Sequence, residues 1–182
     1  MLSPAEAREA LRSAELICPD TEVQAALAAM ADAISHDLAD ANPLVLAVMG
    51  GAVVFTGQLL PLLTFPLDFD YLHVTRYGNA TTGGGLQWKM FPAAAIAGRT
   101  VLVLDDVLDE GHTMAAIRER VLAAGAARFL SAVFADKAIG RAKPLAADYV
   151  GVHLPNRYVF GYGMDVKGAW RNLPAIYALK QD

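Results

Sequence analysis

The chain has 182 residues, 55% of them hydrophobic and 19% charged, with mean hydropathy +0.34; this excludes intrinsic disorder and suits one domain with a full core. Lys and Arg number 15 against 19 Asp and Glu, a formal net charge of −4 with no basic block, so neither nucleic acid nor a membrane surface is expected as a partner. The single cysteine, Cys18, cannot close an internal disulfide, and the charged amphipathic start of the chain does not read as a signal peptide, so a cytoplasmic protein is expected.

The first segment predicts a helix with Ser3 as N-cap, Pro4 at the first helical position and Glu6 completing a capping box, ending before Pro19. Asp20 signals a second helix, in which Val23, Leu27, Met30, Ile34 and Leu38 recur at spacings of three and four. Residues 41–67 carry no charge, which by length alone allows a membrane span. Gly50-Gly51, Pro61, Pro66 and Gln58 argue instead for a buried strand at 44–49, a glycine turn and a core helix from about 52. The alternating run at 67–74 reads as a strand, and residues 75–87, with four glycines, read as a functional mobile loop or hairpin tip. VLVL at 101–104 predicts a strand, followed by an acidic turn and a helix that stops at Gly125. Apolar runs at 129–135, 149–155 and 158–164 complete a set of strands. Strands apolar on both faces and alternating with helices predict an α/β fold with a mostly parallel central sheet flanked by helices.

In such sheets ligands bind beyond the carboxyl ends of strands, where helix N-termini offer unpaired amides. Asp105, Asp106 and Asp109 follow VLVL directly, and three carboxylates beside an apolar strand call for a metal, hydroxyls or a cationic ligand. The turn Glu110-Gly111-His112-Thr113 enters a helix and suits one phosphate. Acid beside a phosphate cradle suggests a sugar phosphate. Helix capping by Asp is the simpler reading of one such residue, and the absence of a G-x-x-x-x-G-K-[ST] run excludes a P-loop.

The run VLVLDDVLDEGHT resembles the phosphoribosyl pyrophosphate (PRPP) signature of type I phosphoribosyltransferases. With LAVMGGAVVFTGQLL, the 74–88 loop, ADK at 135–137 and the tail from Ala147, residues 44–179 are similar to hypoxanthine-guanine phosphoribosyltransferases of bacterial type. The resemblance implies a single phosphoribosyltransferase domain, with a core at about 40–147 and a small hood at about 148–182 to which the N-terminal segment is a candidate addition. It implies magnesium-dependent transfer of a 5-phosphoribosyl group to hypoxanthine or guanine, giving IMP or GMP and pyrophosphate in purine salvage. The partners so implied are PRPP, a 6-oxopurine, pyrophosphate, the purine nucleotide and a second copy of the chain in a homodimer or homotetramer.

By the same resemblance Asp105 and Asp106 hold the ribose hydroxyls and magnesium, Asp109 handles the purine N7 proton, and Glu110, Gly111, His112 and Thr113 bind the 5′-phosphate. Lys137, Tyr158 and Val159 are implied as purine contacts, Asp165 as a magnesium ligand, and Met49, Gly50, Gly51, Arg76 and Arg171 as pyrophosphate contacts. Read alone, Lys137 is an ordinary solvated lysine, Tyr158 a core aromatic and Arg171 a structural ion pair. Met49 stands where many relatives have Lys, Arg76 where many have Ser, and His112 where others have Lys. A nucleotide-sensing regulator on the same fold and a transferase preferring xanthine or a pyrimidine are the competing readings.

Overall fold

A computed structural model describes residues 1–76 and 86–180, the side chains of Arg76 and Ala94 excepted. Helix α1 (Pro4–Ser13) starts as its sequence dictates: Ser3 accepts from Glu6 N–H and the Glu6 carboxylate accepts from Ser3 N–H. It ends well before Pro19, because residues Glu15–Cys18 leave as strand β1. Helix α2 (Asp20–Leu38) takes Pro19, not Asp20, as its N-cap and buries Val23, Leu27, Met30, Ala31, Ile34 and Leu38.

Strand β2 (Leu44–Met49) and helix α3 (Val53–Leu59) occupy the uncharged segment. Gln58 is satisfied there: it accepts from the Tyr162 hydroxyl at 2.9 Å and from Gln24 Nε2 at 3.3 Å. Among the described residues no helix is long and apolar enough to cross a membrane. Strand β3 (Asp68–Arg76) runs two residues further than its alternation suggested, and pairs antiparallel with β4 (Leu86–Met90), Arg76 opposite Leu86. Residues 77–85, most of the expected glycine-rich loop, lie outside the described residues.

Strand β5 (Thr100–Leu108) continues through Asp105 and Asp106, so these carboxylates belong to the strand's last turns of pleat and not to the following loop. Helix α4 (His112–Ala123) follows, and the Gly125 stop is realised at φ 89°, with Gly125 N–H donating to Leu122 O and Ala126 N–H to Val121 O, a Schellman closure. Strands β6 (Arg128–Ala138) and β7 (Tyr149–Pro155) complete a six-stranded sheet in the order β4-β3-β2-β5-β6-β7, parallel except at β3–β4.

Each central strand divides its side chains between two cores. Val45, Leu102 and Leu104 pack with α2 and α3, while Leu46, Val101 and Val103 pack with Met114, Ile117 and Val121 of α4. Burial on both faces is why these strands lack polar alternation.

A second sheet, ordered β1-β9-β8, joins Glu15–Cys18 to β8 (Val159–Phe160) and β9 (Ile176–Ala178). Strand β7, which lies within the range 148–182 expected for the hood, pairs in the large sheet, and of the run at 158–164 the residues Val159–Phe160 form a strand. Strand β1 supplies the edge that completes the second sheet, and Arg157 ties it down by donating to Glu15 at 2.6 Å and to Leu179 O at 2.9 Å.

Two buried phenols lock the layers. Tyr149 on β7 donates to Asp37 of α2 at 2.8 Å, and Tyr162 donates to Gln58. Desolvation raises both hydroxyls well above the ordinary tyrosine value, with the Asp37 hydrogen bond and charge adding to it at Tyr149 and the Asp20 charge at Tyr162. The unfolded chain loses these protons near about pH 10 and the folded chain does not. Their contribution to stability is therefore complete below that pH and is lost as pH rises beyond it. Urea unfolding between about pH 9 and pH 11 should show a marked fall for the native chain and a shallower one for Tyr149→Phe/Tyr162→Phe. Equal falls would remove these phenols from the account.

Candidate active site

The carboxyl ends of β2, β5 and β6 meet the tail at 158–171 around two connected hollows. A cleft of about 500 Å³ is lined by Met49 at the end of β2 and Gly51 after it, by Asp105 to Gly111, and by Asp165 and Arg171. A smaller hollow of about 210 Å³ shares Asp106, Asp109 and Asp165 with it and adds Lys137, Tyr158 and Val159.

Asp105 and Asp106 sit between these spaces and the apolar sheet. Asp106 N–H donates to Asp105 Oδ1 and Val107 N–H to Asp106 Oδ1, each at 3.0 Å. Desolvation lifts the Asp105 carboxyl well above the usual carboxylate range, and the charge of Asp106 adds to the effect. Desolvation raises Asp106 too, opposed by its hydrogen bond with Asp105 and by the Arg171 charge. Burial thus disfavours the ionised form of both carboxyls, a perturbation that clusters at functional sites.

Close backbone approach shapes this end of the cleft. A Cβ on Gly51 would overlap the Asp106 carboxylate, and one on Gly163, at φ 99°, would overlap the Gly51 carbonyl. The turn after β2, the acidic end of β5 and the tail thus touch without side chains between them. The Met49–Gly50 peptide is cis. Gly50 is exposed and lines neither hollow.

Arg171 is held over this junction by two acceptors. Its guanidinium donates to Gly163 O at 2.6 Å and pairs with the Asp165 carboxylate, which also accepts from Gly168 N–H at 2.6 Å. Trp170 anchors the same turn by donating from Nε1 to Ala7 O of α1 at 2.6 Å.

At the other end, Gly111 caps α4 at φ 82°, a left-handed conformation that glycine adopts without strain. Gly111, Thr113 and Met114 at the start of α4 line the cleft, and the dipole at a helix N-terminus favours an anion. His112 is exposed and does not line the cleft. The side chain of Arg76 is not among those described.

In the smaller hollow Lys137 Nζ donates to Asp109 Oδ2 at 3.0 Å, with the lysine side chain 12% exposed and the aspartate 49%. The lysine is therefore a largely buried cation and not the solvated one that its sequence context suggested. Tyr158 is 52% exposed and donates to Asp165 O at 3.3 Å, so it is not a core aromatic; Val159 is buried beside it. Met164 joins the lining, a position that no sequence signal marked.

Among the described residues no group of three or more His, Cys, Asp or Glu side chains is arranged to hold a metal alone. The donors nevertheless suit magnesium, a hard cation that accepts one or two carboxylates and completes its shell with water and ligand phosphates. The uncompensated charge of Asp105 and Asp106 fits such an ion, and Asp165 borders both hollows.

Residues 20–167 match the family model of the phosphoribosyl transferase domain. The chain is 32% identical over 150 residues to the hypoxanthine-guanine phosphoribosyltransferase of Streptococcus pneumoniae, covering 82% of this chain and 83% of that protein. It is also 32% identical over 170 residues to the bifunctional protein TilS/HprT of Listeria monocytogenes, covering 92% of this chain but spanning only 26% of that longer protein. A hypoxanthine phosphoribosyltransferase from Trypanosoma cruzi, solved as a ternary substrates complex, superimposes with a TM-score of 0.83 at 29% identity, over 93% of this chain and 97% of that one. An apolar strand ending in paired carboxylates, a left-handed glycine opening the next helix and these matches agree: the chain belongs to the phosphoribosyl transferase family, among the hypoxanthine-guanine phosphoribosyltransferases.

Proposed function

We propose that this chain transfers the 5-phosphoribosyl group of PRPP to hypoxanthine or guanine, giving IMP or GMP and pyrophosphate, as a purine-salvage enzyme. The observation that carries this reading is the Lys137–Asp109 pair at 3.0 Å beside an exposed tyrosine, opening onto the acid-lined cleft. A 6-oxopurine presents O6, an acceptor, next to N7–H, a donor. An ammonium and a carboxylate held side by side complement that edge, and Tyr158 offers a ring face to the base.

In this reading residues 110–113 take the 5′-phosphate at the start of α4, and Asp105 and Asp106 accept from the ribose hydroxyls. Arg171 and the Met49-Gly50-Gly51 turn receive the pyrophosphate, with Arg76 as a further candidate. Arg171 is suited to this by its planar fork. Asp105, Asp106 and Asp165 would hold magnesium, which when bound supplies positive charge to the leaving pyrophosphate.

As the bond from the anomeric carbon to pyrophosphate oxygen breaks, positive charge grows on that carbon, and the carboxylates of Asp105 and Asp106, holding the ribose hydroxyls in this reading, would stabilise it. Purine N9 forms the new bond with its lone pair, and Asp109 accepts the proton from N7, leaving the product base neutral. Lys137, turned from Asp109 to O6, releases the carboxylate for that step.

The exposed Phe69 and Tyr71 of β3 support a homodimer or homotetramer, and the one buried cysteine suits a reducing cytoplasm. The defining assay is turnover with PRPP and magnesium against hypoxanthine, guanine, xanthine, adenine and uracil. Nucleotide formation from hypoxanthine or guanine is expected. Binding of PRPP without turnover would favour the regulator, and preference for xanthine the other transferase.

Asp109→Asn should lower kcat on the order of a hundredfold while leaving the KM for PRPP nearly unchanged, since the lost proton acceptor acts only in the transition state. Turnover within about threefold of native would remove Asp109 from that role. For Lys137→Ala, activity on hypoxanthine and guanine should collapse with PRPP affinity kept, and any residual activity should no longer favour 6-oxo over 6-amino purines. A preserved 6-oxopurine preference in that variant would refute the assignment of Lys137.

A further inference from the structure

One residue of the phosphate loop carries the wrong charge for its neighbours. Glu110 lines the cleft between Asp109 and Gly111, and an uncompensated carboxylate there would repel the anion that the following amides attract. The carboxylate is paired with Arg141, which reaches it from the connection between β6 and β7.

That connection is fastened to the back of the phosphate loop. Lys143, its side chain 12% exposed, donates to Leu108 O at 2.7 Å and pairs with Asp136 of β6. Lys143 Cβ and Pro144 Cδ each come within 3.3 Å of the place a Cβ on Gly111 would occupy. The backbone entering the phosphate loop and the backbone carrying Arg141 are therefore one packed unit, and Arg141 is presented to Glu110 by a fixed support.

We propose that Arg141 is a positioning residue for the phosphoribosyl donor: it neutralises Glu110 at the edge of the anion cradle and so sets the affinity for PRPP without touching a reacting atom. The inference rests on the reading of residues 110–113 as the 5′-phosphate site. It identifies a determinant that lies outside the acidic motif and across a gap of 31 residues from Glu110.

Arg141 is 64% exposed, so truncating it leaves the core intact. Steady-state kinetics of Arg141→Ala, Arg141→Lys, Glu110→Gln, the Arg141→Ala/Glu110→Gln double variant and Thr113→Ala test the idea. Arg141→Ala should raise the KM for PRPP about fivefold at low ionic strength with kcat nearly unchanged, and added salt should shrink the rise because the charges are partly solvated. Arg141→Lys should recover most of the affinity. In the Glu110→Gln background Arg141→Ala should have no further effect, since the charge it balanced is gone.

A KM rise that persists in that background, or that salt leaves untouched, would overturn the proposal in favour of a packing role. An unchanged KM in Arg141→Ala, with Thr113→Ala still weakening PRPP, would overturn this inference alone. Unchanged KM in both variants would overturn the reading of residues 110–113 beneath it.

Discussion

Two adjacent carboxylates ending an apolar strand are the constraint around which this molecule is arranged. Asp105 and Asp106 are disfavoured as anions by desolvation, and carboxylates perturbed in this way cluster at functional sites. Everything near them either limits that penalty or keeps the space beside them open. Their own strand amides and Arg171 supply partial compensation. Gly51 and Gly163 remove side chains where the Asp106 carboxylate and the turn after β2 come into contact.

The sheet brings Asp109 and Lys137 together by register alone. Strands β5 and β6 are parallel neighbours, with Leu108 opposite Asp136, so the residues just beyond each, Asp109 and Lys137, emerge side by side. Their ion pair follows from that register. The third participant, Tyr158, comes from the segment leading into the smaller sheet. That sheet is closed by a strand from the opposite end of the chain, Glu15–Cys18 against Ile176–Ala178. The aromatic lining of the smaller hollow therefore depends on a non-local pairing, and Trp170 to Ala7 adds another tie between the chain's two ends.

Helix α4 connects the phosphate end to the β3–β4 pair. Its Arg120 guanidinium stacks over the rings of Trp88 and Phe91, 4.3 and 4.5 Å from their centroids. Cation–π contact of this kind holds β4 against the helix whose N-terminus borders the cleft.

Local rules were sufficient for much of this architecture. The Ser3–Glu6 capping box, the α2 stripe, the Gly125 stop and the doubly apolar strands are written in short-range patterns, because capping, periodicity and left-handed turns are decided within a few residues. The acidic motif and its helix could likewise be found in the linear chain, and the family resemblance supplied roles that residue types alone left open. Strands β1 and β9, by contrast, are too short to carry a periodic signal, and exist because each satisfies the other's backbone. The burial of Lys137, the exposure of Tyr158 and the pairing of Arg141 with Glu110 were also decided only in three dimensions. A side chain's solvation and its charge partner depend on what packs against it from distant parts of the chain, and no local pattern encodes that distance.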